Sequence, residues 1–259
     1  MADLGPKLGP EIGPEIGPVH IFDSLPSTNA HALAAIDGPA WVMARTQTAG
    51  RGRRARAWAS PVGNLYATHL LHPTDPPATM ALRSFAAALA LHSAIQATTG
   101  TVAALKWPND VLVDGGKVAG ILLEATTRAG KTCLAIGFGV NLISAPDVME
   151  VGATPPISLQ AATGKTITPD DFLTVLAKAY AAQEQQFVTK GFAPLRRAWL
   201  DHAARIGQVI RARTGQATHE GIFDTIDEAG NLILITDAGR MGVSAADVFF
   251  SGARDAFGD

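Results

Sequence analysis

The chain has 259 residues, of which 47% are hydrophobic and 17% charged, so it can bury a sizeable core and wholesale disorder is excluded. Its 21 basic and 23 acidic residues give a formal net charge of −2, which leaves no overall field for a polyanion, and the single Cys133 excludes a disulfide framework and a cysteine metal site. No apolar run reaches the ~18 residues that span a bilayer, the longest being Phe85–Leu91, and no signal peptide is recognisable, so we expect a soluble, cytoplasmic protein.

The N-terminal 18 residues repeat Gly-Pro at intervals of four residues, from Gly5 to Gly17. Proline removes backbone donors and disfavours helix at the residue before it. Residues 1–18 are therefore predicted to form an extended or mobile arm that belongs to no core. Docking of this arm on a partner stays open as the alternative to a dispensable tail.

From residue 19 to residue 205, helix and strand patterns alternate. Ser27 or Thr28 can cap one helix, and Thr168 followed by Pro169 predicts the start of another. Apolar spacing from Met80 to Ile95 predicts a third helix, and a fourth is expected around residues 194–203. Strands are predicted at 41–45, 64–71, 102–106, 111–113, 118–124 and 132–140, with a tight hairpin turn at Gly115-Gly116.

Beyond Gly207 the pattern changes to short β segments separated by turn residues. Strands are predicted at 209–213, 220–226, 232–235 and 241–243. Closely spaced short strands of this kind are typical of a small antiparallel barrel. The sequence thus predicts an arm at 1–18, a larger domain at 19–205 and a small β domain at 206–259.

The densest local charge lies in residues 50–56, which read GRGRRAR. Four guanidinium groups within six residues repel one another, so this segment is predicted to be an exposed loop. Its glycines permit close backbone approach, and arginine forks match phosphate oxygens. A phosphate site, a solvated basic loop and a nucleic-acid patch all stay open, whereas the segment lacks the Gly-Lys-Ser/Thr ending of a P-loop.

A second polar cluster, Lys106–Asp110, follows a predicted strand. An amide and a carboxylate beside a lysine, here Asn109 and Asp110, can hold Mg²⁺ and phosphate oxygens, although a polar turn that satisfies its own backbone is the alternative. Lys117 then precedes a strand whose Gly120 is costly unless something approaches the backbone closely. A flat ligand would explain that glycine, and so would a bulge or tight packing.

Taken together and in order, six segments closely resemble the biotin protein ligase family, from about residue 20 to residue 250. The segments are Ser27-Thr28-Asn29, Gln47–Arg54 with Trp58, Asn64-Leu65-Tyr66, Lys106–Asp110, Lys117–Leu122 and Gly137–Asn141. The resemblance implies an α+β fold in which helices flank a mixed β-sheet, followed by a small SH3-like barrel. It also implies an ATP-dependent ligase that forms biotinyl-5′-adenylate with Mg²⁺ and then transfers biotin to a lysine of a biotin carboxyl carrier protein, such as that of acetyl-CoA carboxylase.

The resemblance also implies roles for individual residues. The biotin head group would be contacted by Ser27, Thr28, Asn29, Gln47 and the backbone of Gly50. The loop bearing Arg51, Arg53 and Arg54 would close over biotin and phosphates, with Arg53 restraining the adenylate. Lys106 and Lys117 would lie at the biotin carboxylate and the α-phosphate, and Asn109 and Asp110 at Mg²⁺ and the attacking amine. Trp58 and Gly120 would lie beside the nucleotide, and Asn141 would contact adenine.

Two other functions are considered. A lipoate or octanoate transferase or ligase shares the catalytic architecture, but the polar Ser27-Thr28-Asn29 with Gln47 suits a ureido ring better than a methylene tail. A nucleic-acid binder that uses the arginine segment is disfavoured by the net charge and by the lack of a recognition-helix motif. Because no winged helix precedes the core, DNA binding is not expected, and a homodimer stays open.

Overall fold

The computed structural model describes residues 7–8, 17–147, 153–215 and 217–250. Within these ranges the first sheet has eight strands. They are β1 (Lys7–Leu8), β2 (Val19–Leu25), β3 (Ala40–Gln47), β4 (Leu65–Leu71), β5 (Ala104–Lys106), β6 (Asp110–Val113), β7 (Gly116–Arg128) and β8 (Lys131–Val140). Their order is β1-β2-β3-β4-β8-β7-β6-β5. Only β2 and β3 pair in parallel among these described strands, so the sheet is mixed, as predicted.

The helices of the described ranges cover both faces of this sheet. They are α1 (Thr28–Ala35), α2 (Pro77–Ala81), α3 (Arg83–Thr99), α4 (Leu159–Thr163), α5 (Pro169–Lys190) and α6 (Phe192–Asp201). The Ser27 hydroxyl, and not that of Thr28, accepts from the Ala30 backbone N–H and caps α1. Thr168 caps α5 as predicted. The single helix expected between residues 80 and 95 is instead two helices that meet at Leu82.

Alternation along β3 produces two apolar layers, because successive strand side chains point to opposite faces. Trp41 and Met43 join the larger core with α3 and α5, whereas Val42 and Ala44 pack in a smaller cluster with Ala32 of α1. The stretch Pro77–Thr99 is long and apolar enough to cross a membrane by length and composition. It is 72% buried inside the fold, as in the core helix of a soluble protein.

A second, antiparallel sheet follows, with five strands in the described residues. They are β9 (Val209–Arg213), β10 (Thr218–Ile226), β11 (Leu232–Thr236), β12 (Gly239–Val243) and β13 (Asp247–Phe250), in the order β12-β11-β10-β9-β13. Its apolar residues are continuous with the core of the first sheet. The Trp107 indole also donates a 3.0 Å hydrogen bond to the Gly230 carbonyl of this unit. The predicted α+β class is confirmed, and the division at 205/206 stays a prediction.

The turn between β6 and β7 differs from its prediction by one residue. The turn between β6 and β7 is formed by Asp114-Gly115, with φ of 50° and 75°, so the predicted Gly115-Gly116 turn was wrong by one residue. A two-residue hairpin turn of this type needs positive φ at both positions, which Asp-Gly supplies.

Most of the predicted arm lies outside the described residues, but Lys7–Leu8 pairs with β2 opposite Ile21 and His20.

Candidate functional site

A cavity of about 690 Å³ opens between the first sheet and β13. All predicted site residues line it except Arg54. Those that line it are Ser27, Thr28, Asn29, Gln47, Gly50, Arg51, Arg53, Trp58, Lys106, Asn109, Asp110, Lys117, Gly120 and Asn141. Segments that are far apart in the chain therefore meet around one hollow, and the structure brings residues 51–53 to the same cavity as both lysines.

One end of the cavity, which we call the polar end, consists of Thr28, Asn29 and Gln47 with their partners. The Gln47 amide oxygen accepts from the backbone N–H and the hydroxyl of Thr28, at 2.9 and 3.2 Å. Asn29 donates to Glu124 at 2.8 Å, and its amide oxygen accepts from the Thr68 hydroxyl at 2.6 Å. Thr28 and Asn29 are nearly inaccessible to solvent. These polar groups are thus fixed in orientation before any ligand arrives.

Glycines allow the walls of the polar end to approach closely. A Cβ at Gly137 would lie 2.5 Å from the Asn29 amide oxygen, and a Cβ at Gly50 would lie 2.8 Å from the Ser60 hydroxyl and 2.9 Å from the Gln47 amide nitrogen. Contacts this short are not found for real Cβ atoms. Any larger residue at these two positions would displace the groups that the sequence resemblance assigns to ligand binding.

The Trp58 indole lies on the paired glycines of β7 and β8. Gly120 and Gly139 are directly opposite each other in the sheet, and a Cβ on either would lie 3.1 or 2.7 Å from the indole. The flat group that the strand glycines accommodate is therefore the protein's own tryptophan. Its indole nitrogen is buried without a hydrogen-bond partner in the described part of the chain, which leaves a donor unused beside the cavity.

Two lysines flank one carboxylate at the turn that follows β5. The ammonium of Lys117 lies 2.6 Å from Asp110. Lys106 is only 6% exposed and donates to the Thr154 hydroxyl at 2.8 Å. Burial lowers the pKa of Lys106, against the opposing effect of Asp110. The cavity therefore places two cations beside one anion, and this leaves excess positive charge for an anionic ligand.

Two predicted ligand contacts also have structural partners. The Asn109 amide donates to the Ile121 carbonyl at 2.7 Å, and the amide of the buried Asn141 lies 3.4 Å from the carbonyls of Lys117 and Ile157. These bonds fix the turn before β6 and the end of β8. No cluster of three or more His, Cys, Asp or Glu that could hold a metal occurs among the described residues. The Asp110 carboxylate fits the way in which Mg²⁺ is bound by one carboxylate together with substrate phosphates, and the Mg²⁺ contact of Asn109 stays a prediction.

Residues 51–56, which we call the arginine loop, contribute to the lining of the cavity and are held from two sides. Arg51 pairs with Glu124 of β7 at 3.0 Å. On the other side, Arg53 donates to the Ala246 carbonyl at 3.1 Å, and Arg54 and Arg56 both pair with Asp247. Arg54 was predicted to contact the ligand, but its side chain pairs with Asp247 and does not line the cavity. Burial lowers the pKa of Arg53, although Asp247 opposes the shift.

The backbone of the arginine loop is strained. Arg54 and Ala55 have φ of 54° and 58°, in the left-handed region. Each such residue with a side chain costs about 1–2 kcal/mol. The loop conformation is therefore not intrinsically favoured, and its backbone hydrogen bonds and ion pairs together have to offset this cost.

Several residues of the site were not predicted from the sequence. Glu124 and Asp247 are the carboxylates that anchor the arginine loop, and Ser60 and Thr154 bond to Gln47 and Lys106. The acidic end of the apolar run 118–123 was the available signal for Glu124. No local signal exists for the role of Asp247, because its partners in the arginine loop are more than 190 residues away.

Comparison with known proteins identifies the family. Residues 21–141 match the family described as Biotin/lipoate A/B protein ligase family, and residues 206–251 match the Biotin protein ligase C terminal domain. The chain is 52% identical over 234 residues to biotin-(acetyl-CoA-carboxylase) ligase of Paracoccus denitrificans, with 87% of this chain and 98% of that protein covered. It is 30% identical to the bifunctional ligase/repressor BirA of Escherichia coli, with 85% and 70% covered.

The fold agrees with solved structures. The biotin protein ligase of Aquifex aeolicus in complex with biotin and ATP superposes with a TM-score of 0.77 at 24% identity, covering 89% of this chain and 97% of that one. A likeness at this identity concerns the fold, whereas the close sequence relative carries the family assignment. From its family matches and its 52% identical relative, the chain belongs to the biotin protein ligase family.

Proposed function

We propose that this chain joins biotin to AMP and then transfers biotin to a lysine of a biotin carboxyl carrier protein. The observation that carries the proposal is the convergence of Lys106, Lys117 and Arg53 on one cavity whose far end is polar and fixed. The name of the 52% identical relative, which specifies acetyl-CoA carboxylase, supports the carrier subunit of that enzyme as the acceptor.

In the first step, a biotin carboxylate oxygen attacks the α-phosphorus of ATP, the bond to the β-phosphate oxygen breaks, and pyrophosphate leaves. Two anions must approach each other, which costs several kcal/mol unless cations neutralise them. Lys106 and Lys117 are suited to this role because one is buried and both are fixed by hydrogen bonds or ion pairs. Mg²⁺ would arrive on the ATP phosphates, with Asp110 as its protein carboxylate, and would neutralise further phosphate charge.

In the second step, the neutral amine of the acceptor lysine attacks the acyl carbon, the bond from that carbon to the phosphate oxygen breaks, AMP leaves, and the proton lost by the amine passes to water. An acyl adenylate hydrolyses readily, so a loop that excludes water protects it. The arginine loop lines the cavity, and we propose that it has this role, with Arg53 retaining the adenylate. Because Asp110 is paired with Lys117, we propose that it orients the incoming amine.

Biotin is favoured over lipoate because the polar end offers fixed amide and hydroxyl groups to a ureido ring. The test is incubation with ATP, Mg²⁺ and a purified biotin carrier domain, with biotin or lipoate in parallel, followed by mass measurement of the domain. We expect a gain of one biotin and no gain with lipoate. Attachment of lipoate alone, or no gain on a carrier that another biotin ligase modifies, would contradict the proposal.

We do not propose a DNA-binding role, because the net charge is −2 and carboxylates already neutralise much of the arginine loop. Salt-dependent DNA affinity in the absence of ATP would contradict this view. A homodimer and a cytoplasmic location stay predictions.

A further inference from the structure

Asp247 lies at the start of β13, outside the motifs that carry the family resemblance, and its side chain is only 11% exposed. It pairs with Arg54 at 2.8 Å and with Arg56, while Arg213 of its own sheet approaches to 3.8 Å. The preceding residue, Ala246, accepts from Arg53 through its carbonyl. One short segment of the second sheet therefore contacts three of the four arginines of the loop.

The arginine loop needs such an anchor for two reasons. Its guanidinium groups repel one another at close spacing, and Arg54 and Ala55 adopt left-handed backbone conformations that residues with side chains disfavour. Two backbone hydrogen bonds close the segment, from Gly52 N–H to the Arg56 carbonyl at 2.8 Å and from Arg56 N–H to the Arg53 carbonyl at 3.2 Å, and offset part of these costs. A largely buried carboxylate that pairs with two guanidinium groups reduces their mutual repulsion and favours this conformation over more open ones.

We propose that Asp247 is a positioning residue, which holds the arginine loop over the cavity through Arg54 and Arg56 and thereby sets how well the adenylate is retained. The part that concerns the adenylate rests on the proposed function, whereas the part that concerns the loop does not. Asp247 itself acts through the arginines and takes no part in bond making.

Trypsin measures the loop directly, because it cleaves after arginine and requires an accessible, mobile backbone. The test compares the full-length protein with Asp247→Asn and counts only cleavage after Arg51, Arg53, Arg54 and Arg56, identified by peptide mass. We expect cleavage to accelerate about fivefold to tenfold, the effect of removing one charge-assisted contact set. The same rate in both proteins would overturn the proposal.

A matched control lies in the same sheet. Asp224 of β10 pairs with Arg240 at 3.5 Å, and Asp224→Asn removes an equal charge without touching the loop. It should leave cleavage within 51–56 unchanged, and Asp247→Glu should restore most of the protection. Equal acceleration by both Asn variants would attribute the effect to the charge of the sheet and would overturn the role of Asp247.

If Asp247→Asn lowers the melting temperature enough to obscure the result, the double variant Arg54→Gln/Arg56→Gln tests the contact from the other side. Cleavage after Arg51 and Arg53 should then accelerate, and Asp247→Asn should add little to it. Full additivity would contradict a shared contact.

The functional readout is the ratio of bystander biotinylation to carrier biotinylation. This ratio should rise in Asp247→Asn and should return close to the wild-type value in Asp247→Glu. Faster cleavage with an unchanged ratio would overturn the retention role, and failure of every variant and the wild type to modify the carrier would contradict the proposed function instead.

Discussion

The two ends of the cavity are stabilised differently. At the polar end, Thr28 and Asn29 lie in the first turn of α1, and Gln47 ends β3, so the backbones of regular elements fix them. At the other end, the arginine loop has a left-handed backbone and is held by ion pairs to Glu124 and Asp247, which belong to different sheets. The polar end is held by regular secondary structure, whereas the arginine loop is held by ion pairs that other charged groups can replace.

The difference corresponds to the two demands of an adenylating enzyme. Recognition of a small acid benefits from groups that are already oriented, because ordering them on binding would cost affinity. Protection of a reactive intermediate requires a cover that closes after substrates enter and opens for the acceptor. Because the arginine side chains of these ion pairs are 35–45% exposed, each pair contributes little, so phosphate groups can compete for the same arginines.

The largest effect is expected from Lys117→Ala, which removes a fixed cation from the region between the two ends. Pyrophosphate release on mixing with biotin and ATP should fall by about a hundredfold to a thousandfold, as for loss of one preorganised electrostatic contact. Lys178→Ala, at an exposed position of α5, is the control. Near-normal release from Lys117→Ala would remove this lysine from the first step.

Acid should weaken the rigid scaffold under the polar end. Burial lowers the pKa of His69 to about 3, and this residue follows Thr68 on β4. Since the unfolded histidine has a pKa near 6.5, the unfolded chain takes up a proton that the folded chain does not. The contribution of neutral His69 to the free energy of unfolding is complete above pH 6.5 and decreases as the pH falls toward 3. At pH 5 the free energy of unfolding should be lower by about 2 kcal/mol. Urea unfolding at pH 7 and pH 5 measures it.

His69→Gln supplies the reference for this loss, because glutamine does not titrate. The difference in unfolding free energy between pH 7 and pH 5 should be smaller in the variant than in the wild type. Equal differences in the two proteins would show that other groups govern the acid sensitivity.

A single methyl group should disturb the polar end. Gly137→Ala places a Cβ 2.5 Å from the Asn29 amide oxygen. Overpacking of this size should weaken biotin binding about tenfold, as measured by isothermal titration. Gly215→Ala, where a Cβ would meet nothing within 4 Å, should bind like the wild type. Unchanged affinity in Gly137→Ala would show that the polar end is less rigid than described.

The smallest effect on the chemistry is expected at the arginine loop. Arg53→Gly should leave the fold and adenylate formation largely intact but release the intermediate, so that bystander lysines are labelled about fivefold more. Arg197→Ala, on the exposed face of α6, is the control. Unchanged selectivity in a labelling assay would exclude Arg53 from retention.

Much of the part of the cavity around Lys106 and Asp110 could be predicted because it is local. In the strand register, Lys106 of β5 lies opposite Asp110 of β6, and Asp110 lies opposite Gly120 of β7. Short hairpins therefore bring these residues together. The helix caps at Ser27 and Thr168 were equally local. The glycines at 120 and 139 signalled a close approach, although their occupant, Trp58, could not be derived from spacing alone.

The anchors of the arginine loop could not be predicted. Asp247 belongs to a short strand without clear alternation, and its meeting with Arg54 depends on how the second sheet packs against the first. β2 was not predicted as a strand, although its first four residues alternate between buried and partly exposed positions. The turn at Asp114-Gly115 was misplaced because three consecutive turn-forming residues allow two registers.

The most direct test of the account is a single-turnover measurement of pyrophosphate release from ATP, without any acceptor protein. We predict about one pyrophosphate per protein molecule when biotin is present, and almost none with lipoate or without an acid. Release that is independent of biotin, or supported equally by lipoate, would contradict the claim that this cavity neutralises biotin while it is joined to AMP.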